Sequence, residues 1–327
     1  MKLEDYLKGF QSGDRTILAR AITLIESEKP EHQMLAQKLL QALLPKTGKS
    51  KRIGISGTPG VGKSTFIESF GKMLTDQGHS VAVLAVDPTS KVSGGSIMGD
   101  KTRMTELSID PRAFIRPSPS GETLGGVARR TREAMLLCEA FGFDFVLIET
   151  VGVGQSEVAV AGMTDFFMML LQPGSGDDLQ GIKRGILELV DLVVVTKDDG
   201  DNRPLIQKAR HDYQKALQIL RHDPGADGLR GSGVPSVRTC SALEKTGLDQ
   251  ILSDVETYFR DRGPAIIQKR THQQTQWMDE LLREGLWSAF CAKVGSAKIQ
   301  EIRQKVEAGE LTPVQGAQEL LGVLQGV

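Results

Sequence analysis

Apolar residues in the first part of the chain recur at helical spacing, in Ile17, Leu18, Ala21, Ile22, Leu24 and Ile25, then in Leu35, Leu39, Leu40, Leu43 and Leu44. This spacing predicts amphipathic helices over residues 1–46, stopped by Pro45 and the polar run Lys46 to Lys51. The pattern then changes to short apolar runs separated by amphipathic stretches. The runs are Ile53 to Ser56, Val81 to Val86, Ala113 to Ile115, Phe145 to Ile148, Phe166 to Leu171, Leu192 to Val195 and Val234 to Val237. Continuous rather than alternating runs suit strands covered on both faces, so residues 47–259 are expected to form a mostly parallel α/β sheet with helices on either side. Beyond Pro264 helical spacing returns, in Trp277, Leu281 and Leu282, in Ile299, Ile302 and Val306, and in Leu320, Leu321 and Leu324. Residues 260–327 therefore read as an arm of three helices, with Thr312-Pro313 opening the last. An arm of this size has too little core to fold alone, so it should pack on the main domain or on a second copy of the chain.

Composition narrows the classes. The chain carries 40 Lys and Arg against 41 Asp and Glu, a formal net charge of -1, which argues against nucleic-acid binding by bulk positive charge. Arg129-Arg130-Thr131-Arg132 reads as a solvated helix side. Three widely separated cysteines, Cys138, Cys240 and Cys291, give neither a disulfide framework nor a Cys-rich zinc site and fit a reducing compartment. The amino-terminal MKLEDYLKGFQSGD has no apolar signal core, and the apolar runs are far short of the roughly 20 residues that span a bilayer. The expectation is a cytoplasmic protein with no membrane partner.

The chemistry begins after the first strand. Gly57-Thr58-Pro59-Gly60-Val61-Gly62-Lys63-Ser64-Thr65 satisfies GxxxxGK[ST] and runs into the helix-compatible Phe66 to Leu74. Glycines let backbone N–H groups turn inward around phosphate oxygens, and the helix amino terminus adds partial positive charge. Lys63 is expected to reach the β and γ phosphates and Ser64 to ligate Mg²⁺ through its hydroxyl. At the end of the second strand, Asp87 would either hold a magnesium-bound water or cap a helix. Gly94 to Arg103 is either a switch loop contributing the carboxylate of Asp100 or an ordinary polar loop. Glu149, ending the fourth strand before Thr150-Val151-Gly152, takes the Walker B place, an acid that orders Mg²⁺ or its waters, with the Gly152 N–H available to the γ phosphate. Val153 stands where Ras-like proteins place a water-orienting Gln, so unaided hydrolysis should be slow. Gln155, two places on, could hold that water or be a surface residue of the loop.

Thr196-Lys197-Asp198-Asp199, ending the sixth strand, reads as [NT]KxD. The Asp199 carboxylate can accept from both guanine N1–H and the exocyclic amine, an arrangement adenine does not offer, and sites of this kind reject an analogue by roughly 10⁴ or more. Lys197 would lay its aliphatic stem over the purine. Thr239-Cys240-Ser241-Ala242-Leu243 follows the next strand and resembles the loop whose backbone N–H meets guanine O6. GTP is therefore expected over ATP.

Taken together, GTPGVGKST, VDPTS, GGSIMGDKTRM, ETVGVGQSE, GSGDDLQGIKRG, TKDDGDN and TCSALE resemble the MeaB/ArgK family of GTPase chaperones of adenosylcobalamin-dependent acyl-CoA mutases. The resemblance covers nearly the whole chain. It implies a P-loop GTPase of the SIMIBI type that is a homodimer through the carboxy-terminal arm. It also implies binding to methylmalonyl-CoA mutase or a related mutase, whose cofactor loading it gates and which it protects from inactivation; adenosylcobalamin is met only through that partner. By position, Asp87, Asp100 and Glu149 join the magnesium and γ-phosphate shell, with GTP and GDP as ligands. Gly174 to Lys183 matches an extra switch in which Asp177, Asp178 and Lys183 couple nucleotide state to the partner; Lys63, Glu149 and Lys183 would carry hydrolysis. Thr196 departs from the Asn of most members, which implies a weaker tie between base loop and phosphate loop. Two rivals are a P-loop kinase of a small acceptor and a nickel-insertion GTPase. The first would want an Arg-rich lid, and the second clustered His and Cys, whereas His32, His79, His211, His222 and His272 are scattered.

Overall fold

The computed structural model describes residues 1–86, 104–117, 124–150, 156–173, 184–220 and 235–325. The chain divides into two compact units, Met1–Ile266 and Ile267–Val327.

The first unit opens with helices α1 (Leu3–Ser12), α2 (Arg15–Glu26) and α3 (Pro30–Leu43). Asp14 caps α2 by accepting from the Thr16 N–H at 2.8 Å, and Pro30 stands in the first turn of α3, both favoured start signals. Strands and helices then alternate: β1 (Lys51–Gly57), α4 (Lys63–Asp76), β2 (Val81–Val86), α5 (Thr105–Ile109), β3 (Ala113–Arg116), α6 (Leu124–Phe141), β4 (Phe145–Thr150), α7 (Ser156–Ala161), β5 (Phe166–Leu171), α8 (Arg184–Leu187), β6 (Leu192–Val195), α9 (Arg203–Leu220), β7 (Ser236–Thr239) and α10 (Leu248–Asp261). The seven strands form one sheet in the order β3-β2-β4-β1-β5-β6-β7, every pairing parallel.

Alternation along each strand feeds two cores. Val146 and Ile148 of β4 and Phe167 and Met169 of β5 face a layer built from α1, α2, α3, α6, α7 and α9. Phe145 and Leu147, with Phe166, Met168 and Leu170, face α4, α5 and α10. The amino-terminal helices thus share the main core: Leu18, Ile22, Leu39 and Leu43 are essentially inaccessible.

Four strands depart from their apolar runs: β3 runs on through Arg116 and β4 through Thr150, while β1 and β7 differ at their starts as well. β1 starts at Lys51 because Arg52, buried beneath the sheet, finds a buried bidentate partner in Glu139 at 2.8 and 2.7 Å; a charged residue so placed gives no apolar signal. β7 lies over Ser236–Thr239 rather than Val234 to Val237. As an edge strand it carries Arg238, which forks onto Asp254 of α10 at 2.6 and 2.7 Å, in place of a second apolar side chain.

The second unit continues α11 (Gly263–Val294) into α12 (Ser296–Glu307) and α13 (Pro313–Gln325). Thr312 and Gln315 cap α13 reciprocally, the Gln315 N–H donating to Thr312 Oγ1 at 3.2 Å and the Thr312 N–H to Gln315 Oε1 at 3.0 Å. Gly316 lets α13 lie tight on Val306 and Ile302, where a methyl would come within 2.8 Å of the Val306 side chain. Among the described residues no helix is long and apolar enough to cross a membrane.

Candidate nucleotide site

The phosphate loop sits between β1 and α4, at the carboxyl end of a strand flanked by β4 and β5, where open α/β sheets bind ligands. Gly57, at φ 154°, leaves β1 against β5: a Cβ there would stand 2.5 Å from the Leu170 carbonyl oxygen. Gly60 and Gly62 take φ 82° and 97°, left-handed conformations that turn successive N–H groups inward at little cost for glycine. Val61 between them is buried, so one apolar side chain anchors the loop, and its N–H closes the turn by donating to the Thr58 carbonyl at 3.3 Å.

Lys63 opens α4 and folds back over the loop, its ammonium donating to the carbonyls of Gly57 at 2.6 Å and Thr58 at 3.2 Å. Burial pushes its pKa below the ordinary lysine range, opposed by the nearby carboxylates of Glu149 and Glu157. The ammonium is thus poorly hydrated, close to two acids and aimed into the loop, a state that a polyphosphate would improve. Beside it Ser64 Oγ donates to Glu149 Oε1 at 3.3 Å, with Glu149 buried at the end of β4. A hydroxyl and a carboxylate meeting next to a phosphate loop are hard oxygen donors that fit Mg²⁺. Ser64 would hold the ion and Glu149 would hold it or its waters, and the ion when bound neutralises charge on the phosphates. Thr150 secures this strand end by donating to Ser56 Oγ across to β1 at 2.8 Å.

The base loop is built against the same phosphate loop. Thr196, buried after β6, donates to the Val61 carbonyl at 2.8 Å and lies 3.3 Å from that of Leu171. The tie expected of Asn at this position is therefore made by Thr, with one proton shared between two acceptors where an amide would bring two donors. Thr196→Val, which keeps shape and removes the proton, should weaken GDP and GTP binding together by about 5- to 30-fold; calorimetric titration checks it. Lys197 adopts a left-handed conformation at φ 63° and crosses to the Gly60 carbonyl at 3.0 Å and to Gln172 Oε1 at 2.6 Å. Its stem is thereby stretched along the edge of the base pocket. Asp199 accepts from Ser241 Oγ at 2.6 Å, and Ser241 in turn accepts from the Glu244 N–H at 3.0 Å. The Ser241 and Thr246 backbones exchange two hydrogen bonds, at 3.2 and 3.0 Å, fixing the turn that presents Ala242 and Leu243. Burial and, secondarily, Asp198 and Asp199 push the Cys240 thiol up to about 12, so this cysteine packs and does not react.

Of the residues expected from sequence, the structure brings together Gly57 to Thr65, Glu149, Thr196, Lys197, Asp199 and Ser241 to Leu243. Asp87, Asp100, Gly152, Val153, Gln155, Asp177, Asp178 and Lys183 lie outside the described residues. Sequence reasoning did not find Gln172, the partner of Lys197, nor Ser69 of α4, which reaches the base loop; neither belongs to a motif.

The sequence pattern of the family described as methylmalonyl-CoA mutase-associated GTPase MeaB matches residues 18–295. The chain belongs to the MeaB family. Its relatives include a protein of Caulobacter vibrioides named a putative GTPase, 51% identical over 95% of this chain and 94% of its own. The GTPase ArgK of Escherichia coli is 50% identical over 86% and 84%, and the mitochondrial methylmalonic aciduria type A homolog of Mus musculus is 46% identical over 96% and 77%. A solved structure named an LAO/AO transport system kinase superposes with a TM-score of 0.78 at 39% identity, covering 99% of this chain and 97% of its own. With its parallel seven-stranded sheet, phosphate loop and assembled base loop, this MeaB-family member is a P-loop GTPase related to the methylmalonic aciduria type A proteins.

Proposed function

We propose that this MeaB-family GTPase is a nucleotide switch that works on an adenosylcobalamin-dependent acyl-CoA mutase, methylmalonyl-CoA mutase foremost, gating cofactor loading and protecting that enzyme from inactivation. The family match over residues 18–295, by a family described through its association with that mutase, carries the reading. GTP binds with its phosphates on Gly57 to Thr65 and its base on Lys197, Asp199 and the Ser241 to Leu243 turn. Lys63 draws charge from the β and γ phosphates, and Ser64 with Glu149 supplies oxygens for Mg²⁺. Hydrolysis by the isolated protein is slow, since Val153 stands in place of a water-orienting Gln, and the partner completes the site through the Gly94 to Arg103 and Gly174 to Lys183 segments. In this reading Asp87 and Asp100 join the metal shell, Gly152 meets the γ phosphate, and Asp177, Asp178 and Lys183 couple nucleotide state to the partner.

The chain is read as cytoplasmic, organised as 1–46, 47–259 and 260–327, and paired as a homodimer through the last segment. Along α11 the side chains of Met278, Leu282, Leu286 and Trp287 are each more than half exposed at spacings of four, four and one. A stripe of this kind in a unit with so small a core supports its burial against a second copy.

A kinase acting on a small acceptor is the reading favoured by the name of the structural relative; the base reader favours GTP hydrolysis. The two separate in one assay. With purified methylmalonyl-CoA mutase added, phosphate release from GTP should rise at least about tenfold over the isolated protein, with ATP inert. Unchanged release with the mutase would remove the partner assignment, and transfer of label to a small acceptor would install the kinase.

A further inference from the structure

The base-loop turn has a support on α4 that no motif marks. Successive residues of α4 lie about 100° apart around the helix, so Glu68 and Ser69, one turn beyond Ser64, serve two different loops. Glu68 accepts from the N–H groups of Glu106 at 2.6 Å and Leu107 at 3.2 Å, holding the first turn of α5. Ser69, 7% exposed, donates to the carbonyl of Ala242 at 2.7 Å.

That second bond falls at the centre of the base-reading turn. Within the turn the Ser241 N–H is engaged by Thr246, the Glu244 N–H by Ser241 Oγ, and the Ser241 hydroxyl by Asp199. The N–H groups of Ala242, Leu243 and Lys245 have no protein acceptor among the described residues, and the first two flank the carbonyl that Ser69 holds. A trans peptide is planar, with its C=O and N–H pointing in opposite directions. Drawing the Ala242 carbonyl onto α4 therefore turns the Leu243 N–H away from α4. Leu243 itself is 77% exposed, so its side chain offers little packing to hold that peptide plane.

We propose that Ser69 is a specificity-positioning residue: its hydroxyl fixes the Ala242–Leu243 peptide plane so that the turn presents an N–H to the purine 6-oxygen. The proposal rests on the guanine reading of this pocket and adds to it a residue that never touches the nucleotide. Its effect depends on the 6-oxygen and not on the exocyclic amine that Asp199 reads.

The test compares three diphosphates by calorimetry on the full chain: those of guanosine, of inosine, which keeps the 6-oxygen and lacks the amine, and of 2-aminopurine riboside, which lacks the 6-oxygen. Ser69→Ala should weaken the guanosine and inosine nucleotides by the same factor, about 3- to 10-fold. It should leave the 2-aminopurine nucleotide within about twofold, and Ser69→Thr, which restores the hydroxyl, should recover most of the loss. Equal loss for all three would reduce Ser69 to a structural residue and overturn the proposal; so would no loss at all. Should Ser69→Ala fail to fold, Ser69→Cys, a weak donor of similar size, is read by the same ratios. If the unaltered protein did not prefer guanosine diphosphate to the 2-aminopurine form, the guanine reading itself would fall, a result distinct from a failure of Ser69.

Discussion

Lys63→Ala should lower GTP turnover by about 10³-fold or more and nucleotide affinity by about 10²-fold, since it removes a desolvated, preorganised cation from the place where phosphate charge develops. Because Lys63 lies at the start of α4, where alanine is a good helix former, thermal stability should change little. Single-turnover phosphate release and calorimetric GDP titration together check the expectation, and a variant within tenfold of the parent in turnover would refute it. The same residue sets a pH dependence. Burial lowers its pKa beneath the ordinary lysine range, and phosphate binds the protonated form, so affinity is intact at neutral pH and declines as pH rises through that lowered value. In Lys63→Ala the alkaline decline should disappear.

Asp199→Asn should invert the choice of base. The Asn amide oxygen can still accept from N1–H, but its NH₂ meets the exocyclic amine of guanine donor to donor. Xanthine carries a carbonyl at that place and becomes the complementary base. GTP affinity is expected to fall by about 10² to 10⁴-fold, with XTP gaining at least tenfold. The Ser241 hydroxyl that donates to Asp199 at 2.6 Å can still donate to the amide oxygen, so the variant should keep its pocket. If XTP gained nothing, Asp199 would not be the base reader.

These two residues were legible because their chemistry is bound to spacing. GxxxxGK[ST] and TKxD each set one side chain a fixed number of residues beyond a strand, Lys63 after β1 and Asp199 after β6, and the strands were visible as apolar runs: β2, β5 and β6 begin and end where their runs do. The amino-terminal helices were legible as helices by their period. Their place in the main core, with Leu18 and Ile22 against the layer over α6, was not, because periodicity gives a helix its face and leaves open what covers it. Arg52 was misleading for a related reason: its burial depends on Glu139, 87 positions away. Gln172 and Ser69 escaped since each acts by one hydrogen bond to a loop distant in sequence. The Thr196 substitution was legible as a departure, and only the geometry showed that its hydroxyl still reaches Val61.

The bonds from Thr196 and Lys197 to the carbonyls of Val61 and Gly60 make the two ends of the nucleotide share one stretch of backbone. Free energies measured with fragments should therefore not sum to that of the whole. Guanosine bound alone would stiffen the phosphate end, and pyrophosphate bound alone would favour guanosine by the same factor, as linkage requires. A small molecule occupying only the purine end would then act at a distance on phosphate affinity, offering chemical control of this GTPase without competing for its most polar ground.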